Sequence, residues 1–134
     1  MGGKFVPAAE VTREQLDWGS LAWSCRPADT KAIDLVVIEV TLAPGGGHAF
    51  HKHPNQEEVI YCIEGEVEQW LDRQMRVLRP GDAVFISPDV VHASFNVSQS
   101  PAKMLAILSP CMDQQNGYDV TEVADQEPWK GLRG

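Results

Sequence analysis

Residues 45–65 read GGGHAFHKHPNQEEVIYCIEG, and this stretch holds three of the four histidines of the chain, among them His51 and His53. Because these two histidines are two residues apart, a strand places both rings on one face, with their Cα atoms roughly 6.5 Å apart. Glu58 follows on the next predicted strand, and His92 lies on a later one. Three imidazoles and one carboxylate that converge from three strands predict an N3O metal site.

The residues Glu64 and Gly65 predict a β-hairpin, since they separate two β-type runs and glycine tolerates a positive φ. Alternation along the two strands then gives one largely apolar face. The residues of this face are Glu58, Ile60, Cys62, Val67, Gln69 and Leu71. A buried carboxylate without a countercharge is costly, so Glu58 at the end of this face requires a partner such as a cation.

The rest of the sequence predicts an all-β protein of a single domain. Short β-type runs separated by Gly and Pro follow one another, without the helices of a βαβ fold, which is typical of a sandwich or barrel. We expect an irregular N-terminal arm at 1–31, in which residues 12–15 suit one helical turn, a barrel at 32–110 and a polar tail at 111–134. The runs are Ile33–Leu42, Ala49–His53, Val59–Ile63, Val67–Leu71, Met75–Leu78, Ala83–Ile86, Val91–Val97 and Met104–Leu108.

Composition narrows the possible functions. The chain has 134 residues, with 11 Lys and Arg against 19 Asp and Glu, so its formal net charge is −8. A nucleic-acid partner is not expected, because it requires a basic surface. A membrane role is not expected either, because no apolar run approaches the ~20 residues of a spanning helix. The N-terminus lacks an apolar signal segment, and three widely spaced cysteines form no disulfide framework, so we expect a cytoplasmic protein.

Two motifs together resemble those of the cupin superfamily. The first is Gly, five residues, His-x-His, four residues, Glu, six residues, Gly, and residues 45–65 fill every position. The second lies in residues 81–96, which read GDAVFISPDVVHASFN. Gly81, His92 and Asn96 match it, whereas Ser87 and Asp89 stand where the family has Pro and Gly. The order of the motifs is that of a small single-domain cupin with a type-2 conserved barrel.

This resemblance implies a double-stranded β-helix of jelly-roll type with a divalent metal inside the barrel. Its ligands would be His51, His53, Glu58 and His92, the residues that strand alternation also brings together. The ion would be Fe, Mn, Ni, Co or Zn. Glu58 would also be the catalytic residue, because in similar cupins this glutamate leaves the metal and acts as a base.

Other residues near these motifs leave alternatives open. Glu57 competes with Glu58, although the spacing to Gly65 favours Glu58. Alternation from His51 turns His48 away from the ligand face, unless the glycine-rich segment before it changes the register. A substrate pocket is predicted on the inward faces of the strands, and its candidate residues are Ile60, Cys62, Gln69 and Ser94.

The donor set indicates the chemistry. Three neutral imidazoles and one carboxylate carry a charge of −1, so a divalent ion leaves the site positive and suited to an anionic or oxygen-donor small molecule. The leading hypothesis is a dioxygenase. The alternatives are a non-oxidative isomerase, lyase or decarboxylase, and a barrel that binds a small ligand without turnover.

A homodimer is also expected, because similar cupins are often dimers and the two terminal segments add surface outside the barrel. Trp70 supports this expectation in part. It shares its strand face with acidic residues, so either a terminal segment or a second subunit should cover it.

Overall fold

Antiparallel strands account for almost all regular structure in residues 2–133, which the computed structural model describes; Met1 and Gly134 lie outside this range. The chain is 46% strand and 3% helix, which confirms the all-β prediction. The elements are β1 (Thr12–Leu16), β2 (Gly19–Cys25), α1 (Pro27–Thr30), β3 (Val36–Leu42), β4 (Gly47–Lys52), β5 (Glu57–Glu64), β6 (Val67–Leu71), β7 (Gln74–Leu78), β8 (Ala83–Ile86), β9 (His92–Phe95), β10 (Ala102–Ser109) and β11 (Thr121–Glu122).

The strands form two sheets that face each other. The six-stranded sheet has the order β1-β2-β3-β10-β5-β8, and the five-stranded sheet has the order β11-β4-β9-β6-β7. Strands that are distant in sequence are neighbours in both sheets, as in the predicted double-stranded β-helix, and the fold prediction is confirmed. No helix in residues 2–133 has the length and apolarity needed to cross a bilayer.

The core lies between the sheets because alternate residues of each central strand point inward. In β3 and β10, buried and half-buried residues alternate along the whole strand. This is the period-2 pattern of strands with only one face against a core. The buried members in these two strands are Val36, Ile38, Val40, Leu42, Ala102, Met104, Ala106 and Leu108.

The N-terminal segment differs from the prediction. Residues 12–15 do not form a helical turn but lie in β1, which pairs with β2 at the edge of the six-stranded sheet. Segment 1–31, expected to be irregular, therefore supplies two strands. β1 is polar and mostly exposed, as edge strands often are, and its sequence lacks the apolar alternation that identifies a strand.

The predicted hairpin at Glu64 and Gly65 is wrong. β5 pairs with β10 and β8 in one sheet, whereas β6 pairs with β7 and β9 in the other. Gly65 does have a positive φ of 76°, but the chain uses this freedom to cross between the sheets. The predicted face survives, because alternation within each strand does not depend on its partner, and Ile60, Cys62 and Val67 are buried.

The C-terminal tail covers the outer face of the five-stranded sheet. Trp70 packs in a cluster with Phe50 and Val123, to which Trp129 and Leu132 of the tail also belong. β11 extends the same sheet by pairing with β4. A terminal segment therefore covers Trp70, which is one of the two alternatives predicted for it.

Gly45 and Gly65 allow two contributions to stability to be measured separately, namely the strain of a side chain on a left-handed backbone and the loss of close packing. Gly65 and Gly45 have φ values of 76° and 78°, but only at Gly65 would an added Cβ lie 3.0 Å from backbone atoms of Pro101 and Ala102. We expect Gly45→Ala to lower the free energy of unfolding by about 1–2 kcal/mol, and Gly65→Ala by about 1 kcal/mol more. Urea unfolding measures both free energies, and equal losses would contradict the close contact of residue 65 with Pro101 and Ala102.

Candidate metal centre

Three histidines meet between the two sheets. His51 lies near the end of β4, His53 follows that strand, and His92 begins β9, where it is the cross-strand partner of His51. All three are buried, and one nitrogen of each lies within 4.8 Å of the corresponding nitrogens of the others. The strand pairing thus brings together residues that are about 40 positions apart in the sequence, and the three side chains could hold a metal ion.

The backbone fixes the orientation of each of these rings. Nδ1 of His51 donates a hydrogen bond to the carbonyl of Ala49 at 2.7 Å, and Nδ1 of His92 donates to that of Val90 at 3.0 Å. Nδ1 of His53 donates to the carbonyl oxygen of residue 119 in the tail. A carbonyl oxygen only accepts, so each Nδ1 carries the proton and each neutral ring keeps a lone pair on Nε2. Metal-binding histidines are held in this way.

Glu58, from β5 of the opposite sheet, completes the group. Its Oε1 lies 2.9 Å from Nε2 of His92 and 3.4 Å from Nε2 of His53. Oε1 and the His92 Nε2 are both buried, and within residues 2–133 neither has a hydrogen-bond partner of good geometry despite their short separation. Two lone pairs that face each other away from water are stabilised by a cation or by a shared proton between them, and the donor set fits a divalent metal.

Ionisation at the site agrees with this interpretation. Burial opposes the charge of Glu58, but hydrogen bonds and positive charge from His53 and His92, when these rings are protonated, outweigh it and hold the pKa of this carboxyl well below its ordinary value. Burial lowers the pKa of His51, and the nearby histidines lower it further, so this ring is neutral near pH 7. Burial also acts on His53, but Glu58 outweighs it and raises the pKa of His53. The carboxylate is therefore ready to bind a cation.

The turn before His92 keeps a glycine-like backbone although Asp89 replaces the glycine of the cupin motif. Asp89, which stands in the place of the usual glycine, has a φ of 69°, a conformation that Asp adopts more readily than most residues. Its backbone N–H donates to the carbonyl of His53 at 3.0 Å, and its carboxylate pairs with Lys52 at 3.0 Å. The substitution thus preserves the glycine-like backbone next to the site.

A cavity of about 260 Å³ opens beside this group. Of the predicted pocket residues, Ile60 and Ser94 line it, whereas Cys62 and Gln69 are buried outside its lining. Gln69 still contacts the pocket indirectly, because its Oε1 accepts a 2.6 Å hydrogen bond from Oγ of Ser94. Glu57 is exposed on the other face of β5, so it is Glu58 that faces the histidines.

The orientation predicted for His48 by simple alternation is wrong. The register between β4 and β9 shifts between His48 and His51, which is the change that the glycine-rich segment allowed. The His48 ring therefore stacks on that of His51, with centroids 3.5 Å apart and planes 6° apart. His48 lines the cavity, and its Nε2 lies 3.0 Å from Oε2 of Glu122. Burial outweighs this contact and lowers the pKa of His48.

Sequence reasoning missed most residues at the mouth of the cavity. These come from the two terminal segments, which pack over one end of the barrel: Glu14, Trp18, Tyr118, Val120 and Glu122. Only Tyr118 carried a signal, as an aromatic residue in a polar tail, and it packs against Trp23 and His53. Glu14 and Glu122 lie in the short, polar strands β1 and β11, whereas Trp18 lies in the turn between β1 and β2 and Val120 directly precedes β11. The positions of all four depend on pairing across the sheets.

Comparison with known proteins agrees with the architecture. The fold is a double-stranded β-helix with a histidine cluster inside it. The family model for the cupin domain matches residues 38–108, more than half of the chain. The chain therefore belongs to the cupin family, as the two motifs predicted.

Individual relatives share different amounts of this chain. The polyketide synthase CurC of Streptomyces cyaneus is 29% identical over 110 residues, which cover 82% of this chain and 71% of that protein. Quercetin 2,3-dioxygenase of Bacillus subtilis is 35% identical over 60 residues, covering 45% of this chain but only 18% of that protein. The structure of KdgF from Halomonas sp. superposes with a TM-score of 0.73 at 20% identity, covering 84% and 97% of the two chains. Identity this low shows the fold alone.

The four-donor arrangement predicts a single bound ion per chain. Elemental analysis of the purified protein, and dialysis against Mn, Fe, Co, Ni and Zn, measure this directly. We expect His92→Ala to weaken binding by more than the ~10–100-fold that loss of a supporting hydrogen bond costs. His48→Ala is the control, since it removes a stacked ring but none of the four donors, and it should have a much smaller effect. Equal effects of the two variants would contradict the assigned ligands.

Proposed function

We propose that this protein is a metal-dependent enzyme acting on a small organic molecule, with His51, His53, His92 and Glu58 as metal ligands, and that it is a dioxygenase. The observation that carries the proposal is the buried pair formed by Oε1 of Glu58 and Nε2 of His92. Their lone pairs face each other beside a cavity. A structural role for such a group would not require a cavity at its side.

A divalent ion held by these four residues would supply positions for an oxygen-donor substrate and for dioxygen. The chain itself contributes three further effects. The carbonyl-bound imidazoles keep their lone pairs directed inward. The aliphatic walls surround a substrate bound in the cavity with an environment of low polarity. Glu58 is the ionised carboxylate closest to the histidines, so its carboxylate oxygens can accept a proton from a substrate bound in the cavity.

Two findings support oxidative chemistry over the alternatives. One relative is a quercetin 2,3-dioxygenase, although this chain covers only a small part of it. The other finding is that the walls of the cavity are mainly aliphatic and offer few groups for acid–base catalysis. A non-oxidative isomerase, lyase or decarboxylase remains the second candidate, because His48 and Tyr118 line the cavity and could act as acid or base.

Oxygen consumption distinguishes these functions. With the metal-loaded protein and a panel of enols and catechols, we expect oxygen uptake that is coupled to product formation. Glu58→Gln should reduce turnover by about 100-fold or more if Glu58 transfers a proton, and metal content should be measured in parallel. Glu57→Gln is the matched control, since it makes the same change on the exposed face of β5. Turnover at an equal rate without oxygen would refute the dioxygenase and support the second candidate.

We also propose that the protein is a homodimer, but for a different reason from that given by the sequence. The terminal segments pack on their own barrel, so they do not supply the expected contact surface. The outer face of the six-stranded sheet does, because Tyr61, Ile63 and Phe85 are exposed there. The half-buried Val59, Leu105 and Ile107 connect them, since Val59 pairs with Ile107 and Phe85, and Tyr61 with Leu105.

A second copy of the chain suits this face because of its charges. Each copy carries a net charge of −8, so two copies repel unless they meet through a neutral surface. Lys103 and Glu39 on the same face already pair with each other, with 3.6 Å between Nζ and Oε1. The centre of the face is therefore apolar, with Glu57 as an exposed charge at the end of β5, which favours self-association over binding a strongly charged partner.

Sedimentation velocity tests the dimer. We expect Phe85→Glu to shift the protein to monomer while its circular dichroism spectrum stays unchanged. Val97→Glu introduces the same charge at another exposed apolar residue, after β9 and outside this face, and should leave the dimer intact. A monomeric wild-type protein at micromolar concentration would refute the proposal.

We infer that the protein works in the cytoplasm. Cys25, Cys62 and Cys111 are all free thiols. Burial raises the pKa of the Cys62 thiol, which keeps it protonated and less reactive. This cysteine use suits a reducing compartment.

A further inference from the structure

The cavity beside the candidate metal centre has three chemically different parts. At its inner end lie His51, His53 and Glu58. Its mouth carries two exposed carboxylates, Glu14 on β1 and Glu122 on β11. Between them the walls are buried aliphatic side chains, which include Leu21, Ile38, Val40, Ile60, Met104 and Leu108.

The walls favour an apolar body in the occupant. Ser94 is the only hydroxyl-bearing residue along them besides Tyr118 near the mouth, among residues 2–133. The Ser94 proton is already donated to Gln69 at 2.6 Å. A hydroxyl or carboxylate placed against the aliphatic walls would lose its hydration without a replacement hydrogen bond. A ring or alkyl group there would instead gain about 25 cal/mol for each Å² removed from water.

The mouth disfavours a second negative charge. No lysine or arginine lines the cavity within the part of the chain described, residues 2–133. The ionisable groups that face the mouth are Glu14, Glu122, His48 and Tyr118, and Glu122 is in contact with His48. A substrate carboxylate far from the metal would therefore meet two carboxylates and no fixed cation, which is unfavourable at short range.

From these features, and on the basis of the function proposed above, we infer the substrate class. The substrate has a single oxygen-donor head, an aromatic or alicyclic body, and a neutral or cationic far end. The cavity volume of about 260 Å³ lies just below the ~300–1,000 Å³ of pockets for drug-sized ligands, so the body contains one or two rings. Small dicarboxylates and polyhydroxylated sugar acids are excluded, because they lack the apolar body or add a second polar end.

Three probes with one metal-binding head separate the contributions of wall and mouth. They are acetohydroxamate, benzohydroxamate and 4-carboxybenzohydroxamate, bound to the full-length protein loaded with Ni(II) and measured by calorimetry. We expect benzohydroxamate to bind at least about tenfold tighter than acetohydroxamate, because its ring replaces a methyl group against the walls. We expect the 4-carboxy compound to bind about tenfold weaker than benzohydroxamate, because its carboxylate faces the mouth.

Charge-neutral variants assign the second effect to the mouth. The penalty is the factor by which 4-carboxybenzohydroxamate binds more weakly than benzohydroxamate. In the double variant Glu14→Gln and Glu122→Gln, this factor should fall to about threefold or less, while the affinity for benzohydroxamate stays nearly constant. Glu127→Gln removes one charge from the exposed tail outside the cavity lining and should leave the penalty unchanged. Raised salt should reduce the penalty in the wild-type protein.

Each outcome bears on a distinct part of the inference. Equal affinity for acetohydroxamate and benzohydroxamate would overturn the apolar body. Equal affinity for the two aromatic probes, or a penalty that persists in the double variant, would overturn the acidic mouth. If none of the three hydroxamates binds to the nickel-loaded protein, the proposed metal-dependent function fails as well, and that result is distinguishable from the others.

Discussion

The ionised carboxyl of Glu58 is the interaction on which the rest of the site depends. Its Oε1 is buried between His53 and His92, at 3.4 and 2.9 Å from their Nε2 atoms, where water cannot solvate it. Nδ1 of each ring donates a hydrogen bond to a backbone carbonyl. In the neutral rings, Nε2 therefore offers a lone pair rather than a proton to the carboxylate. A fold that places acceptors in this way is stable only with a cation or a shared proton among them. The packing therefore calls for one of these two at the site, and a metal ion is the one that the three histidines could hold.

This requirement explains why the C-terminal tail belongs to the site. The carbonyl that holds His53 is that of Asp119, 66 positions away. Gln56, which is almost fully buried, fixes the tail by donating to the carbonyls of Pro110 and Gly117 and by accepting from the N–H of Asp119. The orientation of a predicted ligand is therefore set by a segment outside the matched cupin region, and loosening the tail would loosen the ring.

The sequence predicted the inner part of this structure well and the outer part poorly, for a physical reason. Alternation placed Ile60 and Val67 inside even though the hairpin assumed for them does not exist, because side-chain direction is a property of a single strand. Motif spacing favoured Glu58 over Glu57, because the spacing to Gly65 is also a property of a short stretch of sequence. The position of His48 depends on a register shift against β9, and that of Glu14 on an edge pairing with β2. Such long-range pairings leave no local periodicity, so they were missed.

The chemical polarity of the cavity follows from how the barrel is assembled. Its inner end and walls come from central strands of both sheets, where burial selects aliphatic residues and tolerates polar ones only when they are held by hydrogen bonds. Its mouth comes from β1 and β11, which lie at sheet edges and in contact with solvent. Edge strands carry charge because charge prevents further strand pairing, and the charged residues of β1 and β11 that line the cavity are both acidic, Glu14 and Glu122. The charged residues at these sheet edges are thus the same residues that surround the mouth of the cavity.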